Sequence, residues 1–140
     1  MTPSRIDAKT ANRSRIATAP AMEAFIPMMD SPDRTDAISV HPLVDLQSRG
    51  AAPALLDVRE PEELAICGFD GAIHIPMGEI PARVAELPRD RMLVVVCHHG
   101  VRSRAVVDFL RRQGLDNAVN LDGGIDAWAW EIDDSMARYG

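Results

Sequence analysis

The chain has 140 residues, with 15 basic against 21 acidic side chains and a net charge of −6, a length that suits one soluble domain able to bury a core without disulfide or metal staples. Five of the basic and four of the acidic residues fall in Met1–Thr35, which leaves ten against seventeen for the rest, and so acidic a domain argues against a nucleic-acid or anionic-membrane surface. No apolar run approaches the ~20 residues of a membrane span, and two cysteines, Cys67 and Cys97, form no disulfide framework but suit thiols in a cytoplasmic setting.

Met1 to about Thr35 mixes Pro, Ser, Thr, Ala and charges without a sustained period, and is expected to be a poorly ordered extension. Arg5, Lys9, Arg13 and Arg15 precede the apolar stretch Ile16–Met29 in the order of a signal peptide, yet Pro20, Glu23 and Pro27 interrupt it. Phe25-Ile26-Pro27-Met28-Met29 is the part of this extension suited to docking. From Asp36 onward short apolar strands alternate with amphipathic helices, the pattern of a parallel α/β sheet. Ile38–Val40 reads as a first strand and Pro42–Ser48 as a helix stopped by Gly50. Ala54–Val58 is a second strand, and Pro61 with the acids behind it starts a helix. A third strand, Ala72–Ile75, leads to a helix over about Gly78–Leu87 that tolerates Pro81 in its first turn.

Met92–Val96 has no polar face and reads as a buried central strand. Cys97 ends it, and His98, His99, Gly100, Val101, Arg102 and Ser103 form the turn into a long helix. Val101, Ala105, Val106, Phe109 and Leu110 mark the predicted inner face of that helix, with Arg104, Asp108, Arg111 and Arg112 outside. Gly114 ends it; Asn117–Leu121 reads as the fifth strand, and Asp122-Gly123-Gly124 turns into a last helix carrying Trp128 in the core and Trp130 on another face. The predicted organisation is an extension over residues 1–35, a domain over 36–132, and a frayed C-terminal tail over 133–140.

A thiol at the carboxyl end of a strand, in a glycine-containing turn that opens a helix, stands where an anion is stabilised. Arg102 nearby favours the thiolate, and the successive amides of Cys97–Ser103 can cradle whatever sulfur carries. The implied chemistry is thiolate attack on an anionic substrate, with Arg102 as a fixed positive fork. Loop length selects the group. Cysteine phosphatases, and by extension arsenate reductase chemistry, place an arginine six positions after the cysteine, which here is Ser103; Arg102, five positions on, closes a smaller loop suited to one extra sulfur atom. Cys97-His98-His99 offers three possible metal ligands, but no Cys-x-x-Cys or His-x-x-x-His spacing completes a site, so no metal and no other cofactor is expected.

Four stretches in order now carry a resemblance: Leu56-Asp57-Val58-Arg59-Glu60-Pro61-x-Glu63, Gly71-Ala72-x-x-Ile75-Pro76, Cys97-x-x-Gly100-x-Arg102-Ser103, and Leu121-x-Gly123-Gly124-x-x-Ala127-Trp128. Over Ile38–Trp130 the sequence resembles a single-domain rhodanese, a thiosulfate sulfurtransferase-like module. The resemblance implies a three-layer α/β fold with a central five-stranded parallel sheet flanked by helices. It also implies that Cys97 takes a sulfane sulfur from a donor such as thiosulfate, becomes a persulfide, and passes the sulfur to cyanide, a thiol or a protein acceptor. Arg102 would bind the donor's sulfonate or stabilise the loop. One departure stands out: the family's Gly-His-Ile-x-Gly-Ala is replaced by the shorter Gly68-Phe69-Asp70-Gly71-Ala72, so the loop chemistry carries over and the donor does not.

For the remaining polar residues the spacing offers modest roles. Asp57 and Arg59 are expected to hold loops together, with Arg59 one helical turn from Glu63 and able to pair with it. His98 and His99 read as exposed loop residues that set access, with tuning of the thiolate as the alternative, and Ser103 as a cap or a loop ligand. Cys67 reads as structural, with a resolving thiol as the alternative. A sulfur-carrier or regulatory binding module with little activity of its own is the competing function.

Overall fold

The computed structural model describes residues 36–140; the N-terminal extension and its Phe25–Met29 patch lie outside the described residues. Among them, strands β1 (Ala37–Ile38), β2 (Ala54–Asp57), β3 (Ile73–His74), β4 (Leu93–Val96) and β5 (Ala118–Leu121) form one parallel sheet in the order β1-β5-β4-β2-β3. β4 lies at the centre, and Leu55 pairs with Val94, which in turn pairs with Val119. Every residue of β2, β4 and β5 is buried, because helices cover both faces. Strand alternation then divides the core. Leu93, Val95 and Cys97 face one cluster with Leu56, Val106 and Leu110, while Val94 and Val96 face the other with Leu43, Ile125 and Trp128.

Helices α1 (Val40–Ser48), α2 (Pro61–Leu64), α3 (Ile80–Arg83) and α4 (Val101–Arg112) lie between successive strands, and α5 (Gly124–Glu131) follows β5. α1 starts two residues earlier than its sequence predicts, since Pro42 at the third helical position lacks only an amide that would have no intrahelical partner. The single helix predicted over Gly78–Leu87 is instead α3 between two 3₁₀ turns, Met77–Glu79 and Val84–Glu86. Pro81 is the reason: it has no N–H to give the Met77 carbonyl, which takes the Ile80 amide in a tighter turn.

Two further expectations are corrected. α4 buries Ser103, Val106, Val107 and Leu110, whereas Val101 is 77% exposed and Ala105 is also exposed. The first turn of α4 stands at the carboxyl edge of the sheet, so its inner position faces the Cys97 loop and not the apolar core. The frayed tail is replaced by a docked one. Asp133 N–H bonds the Trp128 carbonyl at 3.0 Å, Met136 packs on the core, and Tyr139 reaches the loop after β4. Trp128 is core and Trp130 is 63% exposed, with the Arg138 guanidinium 3.6 Å from its ring centre. No helix among the described residues is long and apolar enough to cross a membrane.

Candidate active site

Cys97 follows the last residue of β4 and is only 1% exposed. Its Sγ accepts the Gly100 N–H at 3.1 Å and the Ser103 N–H at 3.3 Å, with the Ser103 hydroxyl also 3.3 Å away. The chain can curl this tightly because Gly100, the N-cap of α4, takes φ 100°, a left-handed value that disfavours a side chain. Gly100 and the first turn of α4 thus direct amides at sulfur, an arrangement that stabilises negative charge there. Ser103 is the third residue of α4 and not its cap.

A residue missed in the sequence completes this floor. Asn120, buried on β5, donates through Nδ2 to the Gly100 carbonyl at 3.2 Å and to Asp122 Oδ1 at 2.9 Å. Those two acceptors fix the amide's orientation, so its Oδ1 takes the Ser103 hydroxyl proton. The Ser103 oxygen is left with a lone pair toward Sγ. The available signal was a single Asn inside an otherwise apolar parallel strand, which demands buried partners.

α5 holds the outer wall. Its Ile125 and Asp126 amides donate to the carbonyls of Cys97 and His98 at 2.9 and 3.0 Å. That approach needs Gly124, where a Cβ would lie 2.4 Å from the His98 oxygen and 2.6 Å from the Cys97 oxygen. The closing glycine pair of the sequence is therefore a docking surface for the Cys97 loop.

Arg102 points to α2. Its Nη1 and Nη2 donate to the two oxygens of Glu63 at 2.7 and 2.8 Å, a bidentate pair. Glu63 also accepts the Glu60 amide at 3.0 Å, closing a capping box at the start of α2. Chiefly through the Arg102 hydrogen bonds, the Glu63 carboxyl is held down at about 2. Arg59 does not pair with the Glu63 carboxylate as its spacing predicts. It lies fully buried against Asp57, with Nη2 to Oδ2 at 2.7 Å, and donates to the Cys67 carbonyl at 2.9 Å. The Cys67 Sγ is 3.9 Å from Arg59 Nη1.

Tyr139 joins the two ion pairs. Its hydroxyl accepts from Arg59 Nη1 at 3.1 Å and donates to Glu63 Oε1 at 2.8 Å, while its ring stacks on His98 with centroids 3.8 Å apart. Burial pushes the Tyr139 hydroxyl up to about 12, so it is a neutral donor. His98 is half-buried and not exposed as expected; burial, with His99 beside it, lowers its pKa. His99 is exposed, its Nδ1 3.8 Å from Asp126 Oδ2, at an open cleft lined also by Trp130, Arg138 and Tyr139. Among the described residues no three His, Cys, Asp or Glu side chains are placed to hold a metal ion.

The Rhodanese-like domain matches residues 39–131 of the chain. The chain is 39% identical over 104 residues to the probable adenylyltransferase/sulfurtransferase MoeZ of Mycobacterium tuberculosis, covering 73% of this chain but 26% of that protein. It thus spans about a quarter of MoeZ's length. A sulfurtransferase of Allochromatium vinosum is 43% identical over 75 residues, covering 54% of this chain and 70% of its own. The crystal structure of a rhodanese-like domain protein from Staphylococcus aureus superposes with a TM-score of 0.65 at 31% identity, covering 75% of this chain and 99% of that one. With four motifs, a five-stranded parallel sheet and a family match over most of its length, the chain belongs to the rhodanese-like domain family.

Proposed function

We propose that the protein is a sulfurtransferase that carries a sulfane sulfur on Cys97. The observation that carries this reading is the pair of amides, Gly100 and Ser103, that donate to Sγ inside a loop closed by an arginine five positions on. A relative named sulfurtransferase at 43% identity supports the same chemistry. The Cys97 thiolate attacks the outer sulfur of a donor such as thiosulfate. The bond between the donor's two sulfurs breaks, sulfite leaves with the electron pair, and a Cys97 persulfide remains. Cyanide, a small thiol or a protein thiol then attacks the outer sulfur, and Cys97 returns as thiolate with no external oxidant or reductant. The loop amides of Gly100 and Ser103 stabilise the persulfide anion, and the Ser103 hydroxyl, bonded to Asn120, holds the second of these amides in place. His98, His99 and Val101 complete the loop and set access to it.

Arg102 acts here mainly as a positioning residue, because both its terminal nitrogens are taken by Glu63. The same engagement speaks against a cysteine phosphatase or arsenate reductase, whose arginine must face the oxyanion. Asp57 and Arg59 support the loop from behind, within a catalytic domain over residues 36–132. Thiocyanate release from thiosulfate and cyanide tests the reading; retention of full activity by Cys97→Ser, or turnover of an aryl phosphate in its place, overturns it.

A second reading has an observation in its favour. Cys97 is almost wholly buried, and the similar segment of MoeZ is a quarter of a larger protein. A sulfur carrier that is loaded and unloaded by protein partners, in the cytoplasm, fits both facts. It forms a Cys97 persulfide from a protein-bound donor while turning over free thiosulfate poorly.

A further inference from the structure

The two flanks of the Cys97 loop are held by one residue that lies far from it in sequence. Tyr139 stacks on His98, the residue after Cys97, with ring planes inclined by 11°. Through its hydroxyl it also grips Glu63, which holds Arg102 at the other end of the loop. Cys67, His98, Ile125 and Tyr139 line one crevice so closely packed that no water-sized space remains. The segment that delivers Tyr139 is tied down at its start by Asp133 N–H to the Trp128 carbonyl and by Met136 on the core. At its far end Arg138 lies over the exposed Trp130.

We propose that Tyr139 is a specificity-determining residue: it latches the Asp133–Gly140 strap over the Cys97 loop, and bulky reactants reach Sγ only when it lifts. The closed state rests on contacts that exchange readily with water. One stacked ring and the two hydrogen bonds of a single phenol hold the closed state, few enough contacts that an open minority is in thermal reach. Cys97 is 1% exposed, so a bulky reactant needs the surroundings of the loop to move, and Tyr139 is the contact that reaches both of the loop's flanks. Lifting Tyr139 unstacks His98 and removes one of the two donors on Glu63 Oε1, yet leaves Arg102 on that oxygen, the Asp57–Arg59 pair and the Gly100 and Ser103 amides in place. The strap therefore selects by size without dismantling the sulfur cradle. This inference rests on the sulfur-transfer reading only for the identity of what enters.

The test measures alkylation of Cys97 in the full chain by peptide mass mapping, with iodoacetamide as the small reagent and a fluorescein maleimide as the bulky one. Thiol alkylation needs no sulfur donor, so its outcome is independent of whether a persulfide forms. In Tyr139→Ala the bulky reagent is expected to react about tenfold faster than in the wild type, matching an open fraction of about one in ten, while iodoacetamide gains much less. Tyr139→Phe, which keeps the ring and loses both hydroxyl bonds, is expected to show the same size-dependent gain to a smaller degree, and it carries the test if Tyr139→Ala does not fold. An acceleration below about threefold with the bulky reagent, or equal acceleration of both reagents, overturns the proposal.

Discussion

Arg102 and Glu63, 39 positions apart, meet through two parallel hydrogen bonds of 2.7 and 2.8 Å, and so tie the first turn of α4 to α2. The pair links the Cys97 loop to the neighbouring strand's loop at the same edge of the sheet. Its geometry sets the clearest pH dependence in the molecule.

The Glu63 carboxyl sits at about 2 in the folded chain against an ordinary 4.5, so its contribution is complete above pH 4.5 and is lost as pH falls toward 2. The full linkage is an upper bound, because the Arg102 side chain is 35% exposed and screened by solvent. Glu63→Gln is expected to lower stability at pH 7 by about 1–2 kcal/mol and to lose little further between pH 5 and 3 from this site. Urea midpoints at pH 7, 5 and 3 for both proteins measure the difference.

Ser103 and Asn120 form one unit under Cys97, so their losses are not expected to add. Ser103→Ala leaves Asn120 Oδ1 without its donor, and Asn120→Ala leaves the Gly100 carbonyl without one of its two donors and Asp122 without the amide. Each single variant is expected to lose about 1–3 kcal/mol, and the double variant about 1 kcal/mol less than the sum. Persulfide formation is expected to slow in all three. A double-mutant cycle read by urea unfolding checks the coupling.

Gly124→Ala places a methyl group 2.4 Å from the His98 carbonyl oxygen at a residue with φ 63°. Neither the backbone of the loop nor α5 can yield without losing the Ile125 and Asp126 bonds to it. The expected loss is about 3 kcal/mol or more, with sulfur transfer lost faster than the fold, read from denaturant midpoints beside thiocyanate release.

How far the sequence disclosed this arrangement depended on range. The strands were legible because β4, shielded on both faces, reads Leu93–Val96 without a polar residue, and the Cys97 turn was legible because Gly100 and Arg102 mark it locally. Helical spacing pairs Glu63 with Arg59, but Arg59 is buried against Asp57, which leaves the Glu63 carboxylate for Arg102. Periodicity of apolar residues turned α4 the wrong way in its first turn, since the buried position there belongs to Ser103 and is satisfied by sulfur and Asn120. The tail carries no period at all. Its order comes from the Asp133 amide on Trp128, Met136 on the core, Arg138 over Trp130, and the Tyr139 ring and hydroxyl on His98, Arg59 and Glu63, all partners that the fold supplies.

Intact mass of the full chain after incubation with thiosulfate tests the central claim most directly. The expected result is a gain of one sulfur atom, mapped to Cys97, removed by cyanide and absent from Cys97→Ser. A chain that gains no sulfur from thiosulfate or from an organic persulfide, or that gains it equally in Cys97→Ser, contradicts a Cys97 persulfide.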